Sequence, residues 1–273
     1  MVDSKQQRRL NQIKTRVSFV TNTHPEHHLY HFVWGRIKSG KTTYIASGPN
    51  PIIFLAEPGH MTVRNVRRLQ VFPIDKAGDY MPPRWKDAWD FLYYLRHVDH
   101  DRKTVGIDSM SGLVDLAMRF ILKDEEARDE LREPSTPTQP TWNRAKITLL
   151  EYIEELENVC QVKKMHLILT AHERQPREGD MEEAEVVPDL SPSVRRDLLK
   201  RPSIISRTFL QEDEESEEVL AYGMTFRDSE LMVGERVTPV GAKEPWLPRE
   251  AYNVTIPKLI RRIERKSSGN SQK

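Results

Sequence analysis

The residues from Gly35 to Thr43 have the types and the spacing of a phosphate-binding loop. Gly35 is followed, after four residues, by Gly40, Lys41 and Thr42, which matches the pattern G-x-x-x-x-G-K-[ST]. Glycines let backbone N–H groups converge on phosphate oxygens, and the positive N-terminal end of the next helix faces the same anion. We therefore predict a nucleoside triphosphate site in which Lys41 meets the outer phosphates and the Thr42 hydroxyl binds Mg²⁺. The loop consists of Gly35, Arg36, Ile37, Lys38, Ser39, Gly40, Lys41, Thr42 and Thr43.

Two acidic residues and a histidine stand at the ends of apolar segments that resemble buried parallel strands. Glu57 follows PIIFLA, Asp108 ends TVGID, and His172 ends HLILTAH. Open α/β sheets place ligand chemistry at the carboxyl ends of their strands, so Asp108 is expected to hold Mg²⁺ through water. Glu57 is either a reactive carboxylate or a solvated loop residue. His172 either lies near the γ-phosphate or bonds to a loop carbonyl.

Predicted strands and helices alternate from about residue 28, and these elements must position the candidate side chains. LYHFVW predicts a strand before the loop, and TTYIAS predicts a short helix that ends at Gly48-Pro49-Asn50-Pro51. Amphipathic helices are predicted over WKDAWDFLYYLRHV and from Trp142 to Cys160, where Ile147 belongs to the apolar face. VLAYGMTFRD together with ELMVGERV predicts antiparallel edge strands, and IPKLIRRIERK predicts a basic amphipathic helix. The pattern favours one doubly wound α/β domain.

Composition limits the class of protein. The 273 residues are 37% hydrophobic and 30% charged, with a formal net charge of +1. Apolar runs far shorter than ~18 residues predict no membrane span, and the basic N-terminus lacks the apolar core of a secretory signal. The single cysteine, Cys160, is expected to be a buried thiol in a reducing cytoplasm. We predict a flexible basic arm over residues 1–26, the domain over 27–264 and a disordered tail over 265–273.

Histidines are concentrated just before and within the first strand, as His24, His27, His28 and His31. One interpretation is a metal site. However, neighbouring side chains of a strand point to opposite faces, no cysteine is near, and no helical pairing is expected. A polar entrance to the strand is the favoured alternative.

Four segments, in this order, resemble those of RecA-like P-loop ATPases: GRIKSGKTT, IIFLAEPG, VGIDSMSGL and LILTAHE. More narrowly, they are similar to phage-encoded P-loop nucleotide-binding proteins that include the Sak-type single-strand annealing proteins. GERVTPVGAKEPWLP resembles the C-terminal strand and loop of that group, so the resemblance covers roughly residues 28–262. It implies a RecA-like α/β fold: a mostly parallel sheet flanked by helices, with antiparallel strands at the C-terminal edge.

The resemblance also implies roles for the candidate residues. Glu57 would be the general base that activates water, and His172 would stand where RecA-like proteins sense the γ-phosphate. Lys41 would stabilise charge on the transferred phosphoryl group. ATP and Mg²⁺ are the implied cofactors, with Thr42 and Asp108 at the metal.

Relatives of this kind assemble into rings or filaments, in which a basic residue of the neighbour completes the site. Lys243 and Arg249 are the candidates for that residue. Single-stranded DNA and other recombination or replication proteins, of a phage or its host, are the partners that the resemblance implies. No membrane partner is expected.

The sequence departs from its relatives in the loops that bind single-stranded DNA there. Residues 123–134 hold six acids against three bases, and residues 173–187 hold six acids against two arginines, which opposes phosphate binding. A basic segment from Arg195 to Arg207 could compensate. Three functions stay open: an ATP-driven annealing or recombination protein, an ATP-switched replication or packaging accessory, and a nucleotide-gated scaffold without turnover.

Overall fold

The computed structural model describes residues 28–58, 66, 68–74, 79–128, 136–174, 186–212, 219–226, 247–248 and 250–269. Its strands are β1 (Tyr30–Gly35), β2 (Pro51–Leu55), β3 (Gln70–Phe72), β4 (Thr104–Asp108), β5 (His166–His172), β6 (Ile204–Glu212), β7 (Val219–Thr225) and β8 (Glu250–Tyr252). Its helices are α1 (Lys41–Ala46), α2 (Trp85–His97), α3 (Met110–Arg128), α4 (Gln139–Val162), α5 (Pro192–Leu198) and α6 (Ile256–Gly269).

The strands form one sheet in the order β3-β2-β4-β5-β1-β6-β7-β8. Parallel pairing extends from β3 to β6, whereas β7 and β8 are antiparallel additions at the far edge. The predicted α/β fold, mostly parallel with antiparallel strands at the C-terminal edge, is confirmed. Strand β3 was not predicted, because three half-exposed residues carry too short a pattern.

Two layers of side chains sandwich the sheet. Helices α2, α3, α4 and α5 cover one face, where Phe32, Trp34 and Phe54 are fully buried. Helices α1 and α6 cover the other face, where Val33 and Ile53 are fully buried. Cys160 lies in the first layer and is buried, as expected.

Helix boundaries follow local chemistry. α1 ends just before the Gly48-Pro49 break, where proline cannot continue a helix. α4 begins at a Thr138 cap, whose hydroxyl accepts a hydrogen bond from the Thr141 N–H at 3.4 Å. The prediction that Ile147 lies on the apolar face of α4 was wrong, because its side chain is 56% exposed. The buried stripe of α4 passes instead through Ala145, Leu149, Tyr152, Ile153, Leu156 and Cys160.

His31 is inside the protein and not at a polar strand entrance. Its Nδ1 lies 2.9 Å from the Tyr44 hydroxyl and its Nε2 lies 2.7 Å from the Ser206 hydroxyl. Complete burial lowers the pKa of His31 to about 3, so the ring is neutral. Among the described residues no group of histidines, cysteines and carboxylates fits a metal ion. His24 and His27 lie outside that part of the chain.

The predicted domain limits can be compared with the structure at one end. Residues 1–27 lie outside the described part, so the basic arm stays a prediction. At the other end α6 continues as a helix to Gly269, beyond the predicted boundary at residue 264. Within the described residues no helix is long and apolar enough to span a membrane.

Candidate nucleotide site

The phosphate-binding loop joins β1 to α1. At two glycines its backbone lies so close to neighbouring residues that its path is fixed. A Cβ on Gly35 would lie 2.3 Å from the Thr208 hydroxyl oxygen, so no side chain fits there. Gly40 has φ of +88°, in the left-handed region, and a Cβ there would lie 2.9 Å from the ring of Tyr222. The Ser39 hydroxyl is 2.7 Å from the Arg36 carbonyl and 2.6 Å from the Thr208 hydroxyl. The loop is thereby attached to β6.

Lys41 points into the loop that precedes it. Its ammonium donates to the carbonyl oxygens of Gly35 at 2.8 Å and Arg36 at 2.6 Å. Burial lowers the pKa of Lys41, and three nearby carboxylates act in the opposite direction without cancelling that shift. These carboxylates belong to Asp108, Glu57 and Glu173. Lys41 is therefore the positive centre of an acidic surrounding.

Thr42 and Asp108, the residues predicted for the metal, are in contact. The Thr42 hydroxyl donates to Asp108 Oδ2 at 2.5 Å, and the Thr170 hydroxyl donates to Asp108 Oδ1 at 2.7 Å. Asp108 is buried at the carboxyl end of β4. Hydroxyl and carboxylate oxygens are the ligands that Mg²⁺ takes, so this donor set fits the ion.

Glu57 and His172 form the second cluster at the same edge of the sheet. Glu57 Oε2 lies 2.6 Å from His172 Nε2, and Glu57 Oε1 accepts a hydrogen bond from the Ser109 hydroxyl at 2.7 Å. Gly112 lies against Glu57, where a Cβ would come within 2.7 Å of its Cγ. The Glu57 side chain is thus held from three sides.

The protonation of Glu57 follows from its contacts. Partial burial raises the pKa of Glu57, but hydrogen bonds from His172 and Ser109 outweigh it, so the net pKa is lowered. Glu57 is therefore an ionised carboxylate. His172 Nδ1 is buried and makes no hydrogen bond within the described part of the chain. Either the neutral ring with its proton on Nε2 or the charged ring can donate to Glu57.

A third acid beside the loop was missed as a site residue. Glu173 accepts two hydrogen bonds from Arg207, at 2.7 and 3.1 Å, and one from Arg36 at 3.3 Å. The Arg207 guanidinium also lies 5.7 Å from the centre of the Trp34 ring. Arg207 was predicted to contribute to a DNA-binding segment, but its charge is engaged inside the protein. The adjacency of Glu173 to His172 was the available signal.

Beside the loop is a hollow of about 280 Å³. Ser39, Gly40 and Thr43 form its wall on the loop side, and Tyr222 and Asn253 face them from the antiparallel edge. Of the remaining predicted loop residues, Arg36, Ile37 and Lys38 are exposed. Lys243 and Arg249, predicted to complete a neighbour's site, lie outside the described residues.

A family model described as "AAA domain", AAA_24, matches residues 28–238. This chain belongs to the AAA_24 family. As a member, it is a P-loop ATPase domain, in agreement with the contacts of Lys41 and Thr42. No curated protein matches the chain. The crystal structure of the RadB recombinase is similar at 15% identity, with a TM-score of 0.42, over 82% of this chain and 86% of that chain. A similarity at that level says nothing about what this AAA_24 domain does.

Proposed function

We propose that this AAA_24 protein binds ATP with Mg²⁺, hydrolyses it, and acts in DNA recombination or single-strand annealing in the cytoplasm of a phage-infected cell. The hydrolysis is supported best by one observation: an ionised Glu57 is held beside Lys41 and the Thr42–Asp108 pair. The recombination role is supported by the resemblance of four segments to the Sak-type proteins.

Lys41 would hold the phosphates, whereas Thr42 and Asp108 would hold the metal. Thr42 would bind Mg²⁺ directly, and Asp108 would hold it through water; the ion would neutralise charge on the phosphates. Lys41 would exchange its contacts with the loop carbonyls for phosphate oxygens. Thr170 keeps Asp108 in place by donating to the carboxylate oxygen that Thr42 does not use.

Glu57 would accept the proton of the attacking water. Its lowered pKa keeps it ionised at neutral pH, and Ser109 and His172 fix the direction of both carboxylate oxygens. His172 would then be a positioning residue, whose bond to Glu57 transmits a change at that carboxylate to β5. The hollow beside Thr43 and Tyr222 would take the nucleoside part of ATP.

An ATP-switched replication or packaging accessory is the second candidate. One observation favours it: the basic segment expected to bind DNA is largely neutralised. Arg201 contacts Glu157 at 3.0 Å, Lys200 contacts Asp197 at 3.1 Å, and Arg207 is bound to Glu173. An accessory of this kind hydrolyses ATP without stimulation by DNA.

Steady-state ATP hydrolysis, measured with and without single-stranded DNA, tests the proposal. Hydrolysis that requires Mg²⁺ and increases with DNA supports the recombination role. Hydrolysis indifferent to DNA supports the accessory, and binding without turnover shows that the protein is a nucleotide-gated scaffold. Glu57→Gln is the control that assigns the measured rate to this site and not to a contaminating ATPase.

A ring or filament is the proposed assembly, with Lys243 or Arg249 of one protomer completing the site of the next. The test mixes inactive Lys41→Ala protein with protein that carries Lys243→Ala and Arg249→Ala. Mixed assemblies should recover hydrolysis, because some interfaces then combine an intact loop with an intact basic residue. Activity equal to the sum of the two separate proteins contradicts the proposal.

A further inference from the structure

Helix α6 presents two faces with different surroundings. Its apolar face, formed by Ile256, Leu259 and Ile263, is buried against the sheet. Four of its basic residues are exposed and line a groove of about 690 Å³ between α6 and β8. We call this the α6 groove; its basic residues are Lys258, Arg261, Arg262 and Arg265.

The basic residues that line the α6 groove carry charges of one sign, and two of them have no ion-pair partner among the described residues. Among the residues that the structure describes, those that line the groove include no acid. Arg261 and Arg265 form no ion pair with any residue that the structure describes, and the Lys258 ammonium donates only to the Asn253 carbonyl at 3.1 Å. The groove therefore presents a concentrated positive potential, which attracts a polyanion.

The groove also contains an aromatic ring at its rim. Tyr252 is 49% exposed and packs edge-on against Phe209, at 5.8 Å between ring centres. Cations that follow a backbone, together with rings on which bases stack, are the combination that binds single strands. From Lys258 to Arg265 the helix rises ~10 Å, so its cations extend along the groove and do not form a single point of charge.

The buried apolar face of α6 distinguishes among the kinds of partner that a basic helix can bind. A basic amphipathic helix that binds a membrane or a helical groove uses its apolar face for contact. In α6 that face is already covered by the sheet. We propose that the α6 groove binds the phosphate backbone of single-stranded nucleic acid.

The α6 groove adjoins the nucleotide site, so the inference rests on the proposed function. Val254 and Lys258 line both the groove and the hollow beside the phosphate-binding loop. The Ile256 N–H donates to the Ser47 hydroxyl at 3.0 Å, which connects the start of α6 to the end of the loop helix α1. Nucleotide in the hollow and nucleic acid in the groove would therefore share one wall.

The experiment measures binding of a fluorescent thymidine oligonucleotide to the full-length protein by anisotropy, over a range of salt concentrations. The variant carries Arg261→Ala and Arg265→Ala. Each phosphate contact on a single strand contributes about −0.7 to the slope of log K against log salt, so the slope should flatten by roughly 1.4. At 0.1 M salt the affinity should decrease on the order of tenfold.

Three further variants define the control. Arg195→Ala with Arg196→Ala removes the same charge from α5 and should leave the slope unchanged. Arg261→Lys with Arg265→Lys should restore the slope, because a point charge suffices for phosphate. Tyr252→Leu should weaken binding but keep the slope, because stacking releases no counterions. All variants should keep the basal ATPase rate without DNA, which shows that they are folded.

The contrary outcomes are distinct. If the native protein binds no oligonucleotide with ATP, ADP or neither, both this inference and the DNA role in the proposed function are wrong, although ATP hydrolysis stands. If it binds and only the α5 variant loses affinity, the α6 groove alone is rejected. If the α6 variant loses self-association or binding to phosphatidylserine vesicles while retaining its affinity for DNA, the groove serves a second copy or a lipid surface, and the inference is also rejected.

Discussion

Glu57 and Glu173 are both carboxylates beside the phosphate-binding loop, yet their surroundings differ. Glu57 follows β2; its side chain is 37% exposed and bonded to a hydroxyl and an imidazole. Glu173 follows β5; its side chain is 7% exposed and bonded to the guanidinium groups of Arg207 and Arg36. Both influence Lys41 through their charges.

The difference indicates that proximity to the phosphate-binding loop does not by itself decide the role of a carboxylate. A carboxylate held by two arginines has its lone pairs engaged in charge-assisted hydrogen bonds, so accepting a proton would break them. A carboxylate held by a hydroxyl and an imidazole can accept a proton from water without breaking a bond to a guanidinium group. Glu173 therefore joins β5, β6 and the loop, whereas Glu57 is suited to chemistry. Substitutions at these residues and at their neighbours test whether the two carboxylates have different roles.

The largest effect is expected from Lys41→Ala, which removes the cation that both acids influence. ATP binding and hydrolysis should both be lost, because three carboxylates then face the phosphates without a compensating charge. Isothermal titration with ATP and Mg²⁺ measures the loss, and thermal unfolding checks that the variant is folded. ATP affinity within a few-fold of the native value would show that Lys41 does not meet the phosphates.

Glu57→Gln is expected to separate chemistry from binding. The amide keeps the shape and can still bond to Ser109, but it cannot accept the proton, so hydrolysis should slow by ~10²–10⁴-fold. ATP affinity should be unchanged, because Glu57 does not form the loop. Single-turnover hydrolysis with the Mg²⁺–ATP complex is the measurement. A normal rate would mean that another residue activates the water.

Glu173→Gln should give the reverse pattern, with a loss of stability and only a modest loss of turnover. Removing one partner of a buried ion pair costs about 3–5 kcal/mol. The expected loss here is about 2 kcal/mol, because Arg36 is 74% exposed and its contact is screened by solvent. Urea unfolding measures it, with Glu57→Gln as the matched control. Equal midpoints for the two variants would contradict the distinction between the acids.

The part of the site that the sequence predicts is the part that depends on strand ends. Glu57, Asp108 and His172 follow continuous apolar runs, and parallel strands bring such ends to one edge whatever the detailed packing. The cores of β1, β2, β4 and β5 follow from the same runs. This inference needs only the order of apolar and polar residues.

Contacts made by late elements could not be predicted in this way. Arg207 pairs with Glu173 only because β6 lies beside β1, and local sequence gives no register for that pairing. A count of cations placed Arg207 on a DNA-binding surface, whereas its carboxylate partner is 34 residues away in sequence. Ile147 failed for a different reason: at 100° per residue it lies about 200° from the buried Leu149, so the two side chains point to opposite sides of α4.

His172→Ala is expected to have the smallest effect. It tests whether the contacts of Glu57 set the protonation of that carboxylate. In the native protein the pKa of Glu57 is lowered because the bonds from His172 and Ser109 outweigh burial. The native rate should therefore stay constant as pH falls from neutrality, and decline only below the ordinary carboxyl value of ~4.3. Removing His172 deletes the stronger of those two bonds but leaves the burial, so the pKa of Glu57 should rise and the decline should begin at higher pH. ATP affinity should stay within a few-fold of the native value.

The measurement is kcat/KM for ATP between neutral and acid pH in both proteins. Thermal unfolding at each pH separates loss of fold from loss of rate. An acid limb at the same pH in both proteins would show that His172 does not set the protonation of Glu57.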